Sequence, residues 1–100
     1  MRFSICSWTF GNAPIEQVFA FVSAAGYACI DLTATVDDFD CDRVARLARD
    51  FSLEISGPTC DSGWPAEEHD LANKNALNRQ KAVAILSARL KPSGRWEATI

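Results

Sequence analysis

The chain opens on an alternation that suits a strand over about Arg2–Trp8 and little else. Phe3 and Ile5 fall on one face, and Ser4, Cys6 and Trp8 on the other. Gly11, Asn12 and Pro14 follow at once and punctuate the segment. One apolar face and one face of small residues ending in Trp suit a barrel wall. The apolar face takes a helix, and the other looks into a crowded interior.

The same switch of period recurs along the chain. Asn12 and Pro14 are expected to start a first helix, with Asn as cap and Pro in the first turn. Ile15, Val18, Phe19 and Val22 then recur at helical spacing. Ala25 and Gly26 close that helix, with Gly26 as the left-handed residue after it. A second strand is expected over Ala28–Thr33, with Ile30 and Leu32 on one face and Cys29, Asp31 and Thr33 on the other. An acidic loop, Asp37–Asp42, leads into a second helix marked by Val44, Leu47, Ala48 and Phe51. The third strand is expected over Leu53–Gly57, with Leu53 and Ile55 facing away from Glu54 and Ser56.

A long loop then carries Pro58, Gly63, Trp64 and Pro65. Asn73 or Asn75 is expected to cap a third helix that runs to about Leu90, with Val83, Leu86 and Leu90 on its apolar side. Pro92, Ser93 and Gly94 break it. In the tail, Trp96–Ile100 alternates like a fourth short strand or a loose end.

Strands alternating with helices imply parallel strands joined by right-handed crossovers. The turns from helix to strand are short (Gly26–Tyr27, Ser52), whereas the loops from strand to helix are long. Long loops at one end place the working face at the C-terminal ends of the strands.

Composition excludes several classes. At 100 residues the chain makes one small domain at most. Its 48% apolar and 23% charged content argues against disorder. A net charge of -3 without a basic block weighs against nucleic-acid binding. The longest strongly apolar stretch, Val18–Ala25, is too short to span a bilayer, and no export signal is visible. Cys6, Cys29, Cys41 and Cys60 form no Cys-x-x-Cys pair. Reduced, mostly buried thiols in a cytoplasmic protein are therefore expected.

Taken in order, several stretches resemble the N-terminal part of xylose isomerase-like TIM barrels, the sugar phosphate isomerase/epimerase superfamily. They are Phe3–Phe10, Pro14–Val18, the Ala25-Gly26-Tyr27 turn into Ile30-Asp31-Leu32, Leu53–Ser56, and Asp70–Asn73 with Arg79 and Ala82-Val83. The resemblance covers about residues 1–86. It implies an α/β fold: a parallel (βα)3 portion of an incomplete (β/α)8 barrel over residues 1–90, with 91–100 as an atypical tail.

A complete barrel needs about 250 residues, so the chain supplies roughly three units of eight. A fragment, a shortened gene and a frame change near residue 88 all fit the pattern. The resemblance implies an enzyme that moves a proton beside a carbonyl of a sugar or keto-acid through a metal-held enediolate. The divalent metal (manganese, magnesium, cobalt or zinc) and the two acid/base carboxylates belong to strands four to eight. The expectation is therefore an inert part of such an isomerase or epimerase, holding no metal and no catalytic residue. The alternative is a non-catalytic part-barrel that self-associates or pairs with another chain through open sheet edges.

Candidate substrate-binding residues are Cys6, Trp8, Phe10, Asp31 and Trp64. Cys6, Trp8 and Phe10 fit one wall of a sugar pocket, or interior packing. Cys6 lacks a neighbouring base or cation that would make it a nucleophile. Asp31, where the family usually carries Glu, fits a substrate-orienting group or a satisfied structural carboxylate. Asp31 and Glu54 are expected at different depths, which argues against an acid/base pair. Trp64 fits a lid over the barrel mouth or a plug beneath its loop.

Two metal patterns fail. Asp38, Asp40 and Asp42 open like a calcium loop, but Arg43 and Arg49 stand where Gly and Glu are needed. The single histidine, His69, has Glu67, Glu68 and Asp70 beside it, and a solvated loop explains that set. A zinc nuclease of the same superfamily would need several histidines and a basic surface.

Overall fold

The structure, a computed structural model, describes residues 1–33, 40–59 and 66–91. Three strands alternate with helices: β1 (Ser4–Cys6), α1 (Ile15–Ala24), β2 (Cys29–Thr33), α2 (Cys41–Asp50), β3 (Glu54–Thr59) and α3 (Ala76–Leu90). Short 3-10 turns occupy Ser7–Phe10 and Glu67–His69. The expected acidic segment Asp37–Phe39, together with Cys60, Trp64 and the tail from Pro92, lies outside the described residues.

The sheet has the order β1-β2-β3, and both pairings are parallel. Ser4, Cys29 and Glu54 align at the lower end, and Ile5, Ile30 and Ile55 one step above. The register then shifts, so that Asp31 pairs with Gly57 and Ser56 becomes an extra residue in β3.

The helical stripes build the core as the periodicity predicts. Val18, Phe19 and Val22 of α1 and Val44 and Ala48 of α2 enclose Ile30, Leu32, Leu53 and Ile55. Ile5, Leu47 and Phe51 pack against this cluster from its margin. Both helices therefore cover one face of the sheet. An ion pair between Arg43 of α2 and Glu16 of α1 straps them together.

Helix ends follow local chemistry. Asp40 caps α2, its carboxylate accepting from the backbone N–H groups of Asp42 (3.1 Å) and Arg43 (3.0 Å). Asn75 caps α3 by accepting from the Leu77 N–H at 2.9 Å. Gly26, with φ +84°, supplies the left-handed residue after α1. Asn12 does not cap α1: Pro14 is the N-cap residue, and no side chain closes that end.

Three expectations fail on packing. β1 ends at Cys6 rather than Trp8, because the Ser7 side chain takes the Thr33 N–H at 2.9 Å and the chain winds into a 3-10 turn. Phe3 shares a row with Ile5 but is 63% exposed, since the helical cover stops short of it. On α3 the buried residue is Ala82, whereas Val83 and Leu90 face water. That helix docks mainly on the Glu67–His69 turn, where Lys81 pairs with Glu68 at 2.7 Å, and not on the sheet.

Candidate functional site

The face of the sheet opposite the helices is polar, and its side chains are joined row by row. At the bottom, Arg2 reaches Glu54 at 2.7 Å. The Glu54 hydrogen bond raises the Arg2 pKa above its ordinary value. Cys29 is buried, yet it stands outside the helix-covered cluster.

The middle row carries the one carboxylate that the strands hold at mid-sheet. Ser4 Oγ donates to Asp31 Oδ1 at 3.0 Å, and Ser56 Oγ also donates to Asp31 Oδ1. Ser4 and Ser56 lie 2.7 Å apart, and Ser56 is 3.2 Å from the Ile30 carbonyl oxygen. The extra residue in β3 makes this meeting possible. It lets Ser56 face Asp31 from the side while Gly57 takes the paired position.

Two hydroxyl protons serve these four contacts, so the cluster is short of donors. Asp31 Oδ2 has no partner among the described residues. An arrangement of this kind suits an incoming O–H or N–H group.

The top row is Cys6, Thr33 and Thr59. Cys6 Sγ lies 3.3 Å from Thr59 Oγ1, and Ser7 Oγ lies 3.3 Å from Thr33 Oγ1. Thr59 Oγ1 is 3.4 Å from the Leu32 carbonyl oxygen, so side-chain hydroxyls supplement the ladder after the register shift.

The structure thus brings Cys6 and Asp31 onto one face and separates Trp8 and Phe10 from them. Trp8 stands on the 3-10 turn above β1 and is 68% exposed. Phe10 packs against the helix-side core and stacks on Phe21, with ring centroids 6.3 Å apart. Trp64 lies outside the described residues. Ser4 and Ser56, the direct partners of Asp31, were not among the sequence candidates. The signal was present in the strand alternation, which puts Ser4 and Ser56 on the Asp31 face, but not in the register shift that joins them.

Asp31 stands two register steps above Glu54, and each has its own partner, Ser4 and Ser56 for the first and Arg2 for the second. They do not form an acid/base pair. Among the described residues no three His, Cys, Asp or Glu side chains converge, His69 and its acidic neighbours included. One carboxylate with two hydroxyls does not make the ligand set of a divalent metal. Cys6 and Cys29 are free thiols. No helix among the described residues is long and apolar enough to cross a membrane.

No family model, curated protein or solved structure matches the chain.

Proposed function

We propose that this chain is the N-terminal part of a sugar or sugar-phosphate isomerase/epimerase-like barrel, contributing substrate-binding wall but no catalytic group. One observation carries the proposal: the helix-free face of a parallel sheet is polar and centred on Asp31.

In a doubly wound fold, helices cover both faces of the sheet, and the strands are apolar on both sides. Here the free face presents Ser4, Cys6, Asp31, Thr33, Ser56 and Thr59, which would strand hydroxyls and a carboxylate beneath an apolar layer. A barrel interior that opens toward a polar ligand keeps such groups useful. The long strand-to-helix connections leave the same end of the sheet.

In this reading Asp31 accepts a hydroxyl of a ketose or keto-acid substrate through Oδ2, while Ser4 and Ser56 hold its other oxygen. Trp8, exposed beside the top of β1, offers an apolar plate for the C–H face of a sugar. The acid/base groups and the divalent metal belong to other parts of a full barrel.

The test is a titration followed by amide NMR, with ketoses, ketose phosphates and hydroxy-keto-acids as probes. Weak binding that shifts the amides of Ser4, Asp31 and Ser56, and that Asp31→Ala abolishes, is the expected result. No shift at these amides with any probe would overturn the assignment of the face. A parallel isomerase assay with manganese, cobalt or magnesium should give no turnover above the metal-only blank, and turnover would overturn the inert reading.

A further inference from the structure

The two sheet-covering helices differ sharply on their solvent sides. The outer side of α2 carries Asp42, Arg43, Arg46, Arg49 and Asp50, all exposed. The only charge on α1 is Glu16, and Arg43 takes it. The rest of its outer side is Gln17, Ala20, Phe21 and Ala24. A helix with so little charge on its outer side is built to be covered.

Geometry says where the cover must come from. Glu16 marks the flank that meets α2. Phe21 lies five residues on, roughly 140° around the helix, and so points away from α2 toward the outside of β1. It is 56% exposed, with Phe10 stacked against it. The surface continues into an open cleft of about 450 Å³ between the end of α1 and the start of β1, lined by Met1, Phe3, Ala25 and Tyr27 among others.

We infer that this neutral face docks a second copy of the chain about a two-fold axis, α1 against α1.

Charge selects the occupant. An uncharged helix face meets no like-charge opposition from its own copy, whereas the outer side of α2 would present it with Arg46, Arg49 and Asp50 to desolvate. A lipid surface would call for several Lys or Arg flanking the apolar residues; α1 has none, and Arg2 beside Phe3 is paired with Glu54. The β3 edge argues against open-ended growth. Pro58 has no N–H to donate, and the extra residue at Ser56 bends that strand, both of which discourage edge pairing. A head-to-tail chain would need that edge, while a two-fold contact through α1 and β1 does not.

Area sets the strength. Phe3 and Phe21 are 63% and 56% exposed and Met1 is wholly so. With side chains of roughly 200 Å² each, these three offer on the order of 450 Å² per copy. A standard interface takes about 800 Å² per partner, so the dimer is weak and concentration-dependent.

Sedimentation equilibrium from about 10 µM to 1 mM tests this, a span that brackets weak association. The expected result is a monomer at the low end that passes to a dimer, and no further, at the high end. Phe21→Glu and Ala24→Glu should each raise the dissociation constant by about tenfold or more, the effect of forcing two like charges together at the axis. Circular dichroism reports whether each variant keeps its fold, and Ala24, which is exposed, serves if Phe21→Glu disturbs the Phe10 stack. A monomer throughout would overturn the inference. So would a dimer indifferent to both substitutions, oligomers that grow without limit, or binding to phosphatidylcholine vesicles in place of dimerisation.

Discussion

Three phenylalanines measure how far the helical cover of the sheet extends. Phe19 is fully buried, Phe21 is 56% exposed and Phe3 is 63% exposed. The same substitution, Phe→Ala, therefore removes very different amounts of buried surface. At Phe19 it removes a whole ring from between α1 and the sheet and leaves a cavity, which costs about 3–5 kcal/mol. At Phe3 and Phe21 less than half of the residue is covered, and water fills the space left behind. Scaling the transfer part alone gives roughly 1 kcal/mol at each.

Urea unfolding followed by far-UV circular dichroism would compare the four proteins at low micromolar concentration, where self-association does not contribute. A domain this small is stabilised by only about 3–5 kcal/mol, so Phe19→Ala should lose most or all of its cooperative transition. The other two should keep it with a modest drop in midpoint. A loss of 3 kcal/mol or more at Phe3 would refute the account, because it would mean that the lower end of β1 is covered after all. A loss under about 2 kcal/mol at Phe19 would equally refute it.

Four other outcomes follow from particular contacts. Asp40→Ala should destabilise the fold by about 1 kcal/mol in the same urea assay, since two N–H groups of α2 lose their acceptor. Ser56→Ala should cost roughly 1–2 kcal/mol and shift the Ser4 and Asp31 amides, because it removes the hydroxyl that holds Asp31 and reaches the Ile30 carbonyl. Gly26→Ala should cost about 1 kcal/mol by conformation alone, as its φ is +84° while nothing within 4 Å would meet the added carbon. The hydrogen bond from Lys81 lowers the Glu68 pKa below its ordinary 4.5. Its contribution is thus present above that value and fades as pH falls through the depressed one. Acid should therefore loosen the amides at the contact between α3 and the Glu67–His69 turn, and Lys81→Met should remove that pH dependence in NMR.

Much of the framework is legible in the sequence because it rests on local periodicity. The stripes Val18-Phe19-Val22 and Val44-Ala48 and the strand residues Ile30, Leu32 and Ile55 meet in one core. Asn75 caps α3, and Gly26 takes its left-handed turn, for reasons of their own chemistry. Legibility fails where a residue's fate depends on a distant partner. The alternation of β1 runs past Cys6, but the hydrogen bond from the Thr33 N–H to Ser7 ends the ladder there. Phe10, expected on the interior wall, turns to the helix side and stacks on Phe21.

The amino-acid order by itself determined that strands and helices alternate, which faces are apolar, and that Asp31 stands on a polar row. Those properties follow from side-chain chemistry repeated at spacings of two and 3.6 residues. Only the tertiary structure decided that Ser4 and Ser56 clasp Asp31, that the cover of the sheet ends before Phe3, and that α3 rests on a turn rather than on the sheet. The Asp31 clasp joins residues 25 and 27 positions apart, and α3 meets its turn through a pair 13 apart; no local pattern encodes where such contacts begin or end.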